Sequence, residues 1–313
     1  MARSEDKDAI EALTRALDKV LVVAKGLSAK PTVIRRLRTA LAGHAAAVEA
    51  ARALADPILT PQASFDPSDP KTVGRMVSIA LLAQPIIRLQ DVKPAYGAGV
   101  YAIYYDGDHP FYRGISGTET PIYVGKADPE SDDASNAREQ GTKLTARLLE
   151  HAGTIKTAES YAEKLNAGLH PILLKNFGCR RLVCATNAQL VAEKHLINTF
   201  SPLWNMETQA CWGMSKHGDS ATTRANKRSP WDVVHPGRPW ALNSKLVDSL
   251  TLTEIEKRVV ATLERVPPRR DHAALLEELL TAFRQTLPLS ADVTIPVEAE
   301  ISQAQFELVN DTD

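Results

Sequence analysis

Apolar side chains recur at Ile10, Leu13, Leu17, Val20 and Leu21, the three-and-four spacing that gathers them on one stripe of an α-helix. Pro31 suits the first turn of a second, alanine-rich helix running to about Ala55, so residues 1–56 are predicted as a helical hairpin. Pro57, Pro61, Pro67 and Pro70 then break up a polar stretch, 57–71, that reads as a connector. After a short helix around Thr72 to Leu82 the period changes: Val100 to Tyr105 and Pro121 to Val124 are β-branched, aromatic and bounded by glycine, which predicts two strands. The loop between them, Asp106 to Thr120, is too long for a tight turn, and its Gly107, Gly114 and Gly117 predict a mobile connection between antiparallel partners. A helix from Lys143 to Ala152, stopped by Gly153, precedes a strand near Arg180 to Ala185 and a helix with Asn187 as its N-cap. Helical patterns return over Leu252 to Arg265 and His272 to Thr286, while Val293 to Val309 is ambiguous between strand and tail. The fold class is therefore α+β: a small antiparallel sheet flanked by helices, spanning 72–250, with helical additions at both ends, the second being 251–313.

Composition narrows this only slightly. The 313 residues, 44% apolar and 24% charged, are those of an ordinary globular protein, and no apolar run approaches the length that spans a bilayer. Met1 leads into the charged stretch Arg3 to Asp8 without an apolar signal region, which places the protein in the cytoplasm and away from membranes. Cys179, Cys184 and Cys211 are odd in number and include no Cys-x-x-Cys pair, so they read as small buried side chains rather than as disulfides or zinc ligands. A net charge of −1 looks unfavourable for a polyanionic partner. Its distribution says otherwise. Lys216, Arg224, Lys227, Arg228 and Arg238 face only Asp219 and Asp232 across 216–238, whereas the last 16 residues hold several acids and no lysine or arginine.

Arg147 and His151, four apart, project from one helix face beside Leu144 and Leu148; they either edge a core or reach a common site. Glu193 is more unusual, with Leu190, Ile197 and Phe200 at −3, +4 and +7 setting the carboxylate within an apolar face. Burying it there is costly unless a buried arginine or a divalent metal compensates. Tyr101 and Tyr123 fit packing positions in strands, and Lys126 adds a cation where the second strand ends. Arg224, Asn226, Lys227, Arg228, His235 and Arg238 lie in one basic stretch between Trp212 and Trp240, either a solvated loop or a set of groups for DNA base edges and phosphates.

Taken as a set, these residues resemble the GIY-YIG nuclease family, whose motif here reads Gly99-Val100-Tyr101 and Tyr123-Val124-Gly125, followed by the Arg147 helix, Glu193 and Asn205. Valine replaces isoleucine in both strings. The chain is most similar to the type II restriction endonuclease branch that cuts the CCGCGG palindrome, which pairs its arginine with a histidine four residues on and carries a segment like Trp231-Asp232-Val233-Val234-His235-Pro236-Gly237-Arg238. The likeness runs from about Val92 to Ala241. It implies metal-dependent hydrolysis of double-stranded DNA by a homodimer, with one Mg2+ per site on Glu193, Mn2+ as a substitute, and no organic cofactor. Tyr101 would act as general base or relay, its pKa lowered by Lys126, His151 and the metal; Arg147 would neutralise the phosphate, Tyr123 would orient the water, and Asn205 would support the site. Residues 212–241 would read the DNA. A repair or homing-type nuclease of the same family and a catalytically inactive DNA-binding module are the alternatives.

Overall fold

The computed structural model describes residues 2–26, 31–55, 64–165, 171–185, 188–215 and 227–288. They fall into two units, one holding the N-terminal helices and the other residues 65–287. Asn187, Arg224, Asn226 and the ambiguous 293–309 segment lie outside the described residues. In the first unit, α1 (Ala2–Lys25) and α2 (Pro31–Ala55) are helical as their periodicity predicts. Their stripes stay exposed rather than buried between them: Ile10, Leu13, Leu17, Leu41 and Val48 all face solvent. Among the described residues no helix is long and apolar enough to cross a membrane.

The second unit opens on α3 (Pro70–Leu82), which starts two residues before the expected Thr72 because Pro70 fits the first turn and the Asp69 carboxylate accepts the Thr72 N–H at 2.8 Å. Four strands follow, β1 (Ile87–Arg88), β2 (Gly99–Tyr105), β3 (Tyr123–Ala127) and β4 (Phe177–Val183), in the spatial order β1-β4-β2-β3 with every neighbour antiparallel. Placed centrally, β2 is buried along its whole length. Its alternation sends Tyr101, Ile103 and Tyr105 to one face and Val100, Ala102 and Tyr104 to the other.

The Tyr101 face is covered by α4 (Lys143–Leu165) through Leu144, Leu148 and Ile155. This helix does not stop at Gly153. A mid-helix glycine costs about 1 kcal/mol, and the burial of Ile155 and Ala158 beyond it outweighs that cost. The opposite face is covered by α3, α5 (Ala188–Phe200) and α8 (His272–Arg284), which contribute Leu81, Leu196, Phe200, Leu275 and Leu279. On that side Arg180 is almost fully buried within β4. Its guanidinium is held by Glu119 at 2.8 Å and the Gln84 carbonyl, so the strand begins at Phe177, earlier than its charged residues allow one to read.

The 106–120 loop is packed rather than mobile. Tyr112 and Ile115 are buried, and the Tyr112 hydroxyl accepts the Trp204 indole N–H at 3.0 Å and bonds His235 Nε2 at 2.8 Å. Two further helices, α6 (Pro230–Val234) and α7 (Leu252–Arg265), follow; the second is opened by a Thr251–Glu254 capping box and sets Ile255 and Val259 into the core on the Tyr101 side.

Candidate active site

Both glycines of the paired motif are explained by close approach. At Gly99 an added Cβ would run into the Leu182 carbonyl of β4, and at Gly125 into the Tyr101 hydroxyl that lies across it. The register pairs Tyr101 with Gly125, so the phenol crosses the bare backbone of the neighbouring strand and reaches the sheet edge formed by β3. That edge is closed by a side chain. Asn205 accepts the Val124 N–H and donates to the Val124 carbonyl, both at 2.9 Å, standing in for a further strand. Its support for the site is thus the alignment of the strand that carries Tyr123 and Lys126.

On the α4 side of this edge four polar side chains converge. Tyr101 Oη and His151 Nε2 are 2.9 Å apart, the Tyr101 and Tyr123 rings lie 6.1 Å apart and nearly parallel, and Tyr123 stacks obliquely on His151 at 4.7 Å. Arg147 sits one helical turn before His151, and its guanidinium donates to the Glu150 carboxylate at 2.7 Å and to the Ser215 hydroxyl at 3.1 Å, with Tyr101 near enough to favour its charge. Burial opposes its charge, but Tyr101, Glu150 and Tyr123 outweigh that and hold the guanidinium above its ordinary pKa. The four-residue spacing thus brings Arg147 and His151 to the same edge as Tyr101 and Tyr123.

Electrostatics corrects one expectation here. Burial drives the His151 pKa down to about 3, helped by the Arg147 charge, so the imidazole is neutral and cannot lower the Tyr101 pKa as a cation would. Burial, with Tyr123, raises the Tyr101 pKa well above its usual value, and Tyr123 is raised by burial as well. Neither phenol is a ready base. What His151 offers instead is a neutral nitrogen beside the Tyr101 hydroxyl. Its other nitrogen, Nδ1, is buried with no hydrogen-bond partner among the described residues.

Glu193 approaches from the other side of the β3 edge, on α5. Its helix buries Ala192, Leu196, Ile197 and Phe200, but Leu190 is exposed, so the carboxylate sits at the border of the apolar face rather than in its middle. Desolvation raises its pKa to about 7; the charge and main-chain N–H of Lys126 pull down, while Glu207 and Asp128 push up. A carboxylate held in this state is short of positive charge, and an oxygen ligand suits a hard divalent cation, so Glu193 is the residue that could hold one. Lys126 is itself paired with Asp128. Ser215, Asp128 and Glu150 carried no signal in the sequence, because single polar residues in irregular or exposed segments have no period to betray them.

The basic stretch is divided by the structure. Lys227 is exposed, and Arg228 is paired with Asp248 at 2.6 Å in the short ladder between β5 (Lys227–Arg228) and β6 (Val247–Asp248). His235 is buried in the fold, and Arg238 is largely engaged by it. His235 is buried among Tyr112, Trp204 and Trp231, and burial holds its pKa well below the ordinary value. Arg238 grips the buried Asp232 with two nitrogens, at 2.6 and 2.7 Å, and donates to the Gly213 carbonyl. Gly237 lies so close to Thr157 and Ala158 of α4 that a Cβ would meet the Thr157 carbonyl at 2.7 Å. The Trp231 to Arg238 segment thus fastens α4 from outside. The cysteines 179, 184 and 211 are free and buried.

No curated protein matches the chain. A family model described as the Eco29kI GIY-YIG domain matches residues 93–263, more than half of the chain, from just before β2 to near the end of α7, and so takes in Tyr101, Tyr123, Arg147, His151, Glu193 and Asn205. The chain belongs to this GIY-YIG restriction endonuclease family and carries its nuclease domain.

Proposed function

We propose that this protein is a type II restriction endonuclease that hydrolyses both strands of DNA at a GC-rich palindrome such as CCGCGG, acting in the cytoplasm as a homodimer with one Mg2+, or Mn2+, at each Glu193. The observation that carries the reading is the meeting of Tyr101, Tyr123, Arg147 and His151 in one hydrogen-bonded cluster at the β3 edge, with the Glu193 carboxylate brought to the same edge from α5. A divalent cation on Glu193, when bound, polarises the scissile phosphate and stabilises the leaving 3′ oxygen.

The chain's own groups supply the rest. Arg147, fixed on its far side by Glu150 and Ser215, turns a charged fork toward the phosphoryl oxygens. The Tyr101 hydroxyl takes a proton from the attacking water as it passes its own to His151 Nε2, which stands 2.9 Å away. Burial, and then the Arg147 charge, make His151 resist protonation, and the negative charge of an entering phosphate offsets that resistance. Proton transfer is thereby tied to substrate occupancy. Tyr123 orients the water against the phosphate. The stretch 212–241 contacts DNA through Lys227 and Arg228, with Arg224 and Asn226 between them and Ser215 in sequence, while His235 and Arg238 act through the fold.

The test is digestion of a plasmid of known sequence in Mg2+, in Mn2+ and in excess EDTA, with mapped ends, beside a gel-shift assay on a CCGCGG duplex. The wild-type protein should cut both strands at one palindrome only when the metal is present, and Glu193→Gln should bind the duplex without cutting. Cutting by Glu193→Gln at the wild-type rate, or cutting in EDTA, overturns the metal assignment; ends scattered over the plasmid overturn the sequence specificity.

A further inference from the structure

Ser215 lies just ahead of the basic stretch and is nearly buried. Its hydroxyl accepts a hydrogen bond from Arg147 Nη2 at 3.1 Å and lies close enough to the Tyr123 phenol to favour its ionised form. One oxygen is therefore anchored to the guanidinium that faces the phosphate, beside the phenol that faces the water. The hydroxyl has a single hydrogen and two lone pairs, so it can accept from the arginine and donate to the tyrosine at once. Arg147 already has Glu150 as its ion-pair partner, so the bond to Ser215 is a second, neutral anchor on the same guanidinium.

We infer that Ser215 is a positioning residue of the hydrolytic site, setting the orientation of the Arg147 guanidinium; the inference rests on the nuclease reading above. An arginine held by Glu150 alone keeps its charge but can pivot about that contact. The second anchor removes this freedom. It fixes the plane of the fork before DNA arrives, so no ordering is left for the moment of reaction.

The experiment compares wild type, Ser215→Ala and Ser215→Thr in the full chain, by single-turnover cleavage at saturating DNA, by duplex affinity, by thermal melting, and by the NMR solvent-exchange rate of the Arg147 guanidinium protons without DNA. Ser215→Ala should cut about ten- to a hundredfold more slowly with affinity and melting close to wild type, and its Arg147 protons should exchange several-fold faster. Ser215→Thr, which keeps the hydroxyl, should recover most of both losses. Wild-type cleavage and exchange in Ser215→Ala, or a loss matched by an equal fall in melting temperature and not recovered by threonine, overturns the assignment. If the wild-type protein cuts no DNA, the nuclease reading fails by itself, and the Arg147 exchange rates still decide whether Ser215 anchors the guanidinium.

Discussion

Glu193→Gln should make the metal-free protein more stable above neutral pH at the same substitution that ends cleavage. The carboxyl has an ordinary pKa of 4.5 and is lifted to about 7 in the folded chain, chiefly by desolvation. A group whose folded pKa is raised favours folding fully below pH 4.5 and loses that advantage progressively as pH rises through about 7. At 1.36 kcal/mol per pH unit, the displacement amounts to about 3.4 kcal/mol as an upper bound, and the partial exposure of Glu193 reduces it to roughly 1–2 kcal/mol. Glutamine mimics the protonated acid at every pH and escapes this penalty. Urea denaturation of both proteins in EDTA from pH 4 to 8.5 measures the difference directly. It should be near zero at the acid end, grow between 4.5 and 7 in favour of the glutamine variant, and then level off. Added Mg2+ at pH 8 should reverse the order, stabilising only the wild type. A pH-independent difference, or a wild type that is the more stable at pH 8 in EDTA, would refute the argument that Glu193 is an under-compensated carboxylate.

Gly125→Ala should damage both fold and activity, because the added methyl must displace the Tyr101 hydroxyl from its place beside His151. A loss of about 1–3 kcal/mol in urea and a drop in single-turnover rate of tenfold or more are expected; an unchanged rate would show that Tyr101 need not lie where it does. Asp232→Asn removes the charge that Arg238 holds with two nitrogens in a buried setting, and should cost on the order of 3–5 kcal/mol by chemical denaturation. Duplex affinity measured well below the new melting temperature should change little, since Asp232 is buried and Arg238 is largely engaged by the fold.

Elements set by a strong local pattern were legible in the sequence. The helices over Pro31–Ala55 and Leu252–Arg265 coincide with their expected spans, and the paired strands follow from glycines flanking β-branched and aromatic runs. Where tertiary packing overrides propensity, reading failed: Gly153 does not end α4, and β1, only two residues long, has no period at all. Arg180 and Arg181 masked the start of β4, since the Glu119 that makes Arg180 tolerable there is remote in sequence. That Arg147 and His151 meet was legible from their shared helix face, and the unusual setting of Glu193 from the apolar face it borders. Its proton chemistry was not. The neutrality of His151 arises from complete burial beside Arg147, and the part played by Ser215 from a contact across 68 positions of chain. The basic stretch is opaque for a related reason: charge in the sequence does not reveal whether an arginine meets a phosphate or, as at Arg238, an aspartate of the same chain.

The Trp231 to Arg238 segment also bears on how such an enzyme could be retargeted. By its composition it invites exchange between relatives as a specificity cassette, yet Gly237 abuts Thr157 and Ala158, and His235 is hydrogen-bonded to Tyr112. The helix it braces is the one that carries Arg147 and His151. Grafting another octapeptide there would loosen the catalytic helix before it altered any base preference. An engineer seeking new specificity would keep this brace intact and begin instead with the exposed side chain of Lys227, which stands outside it.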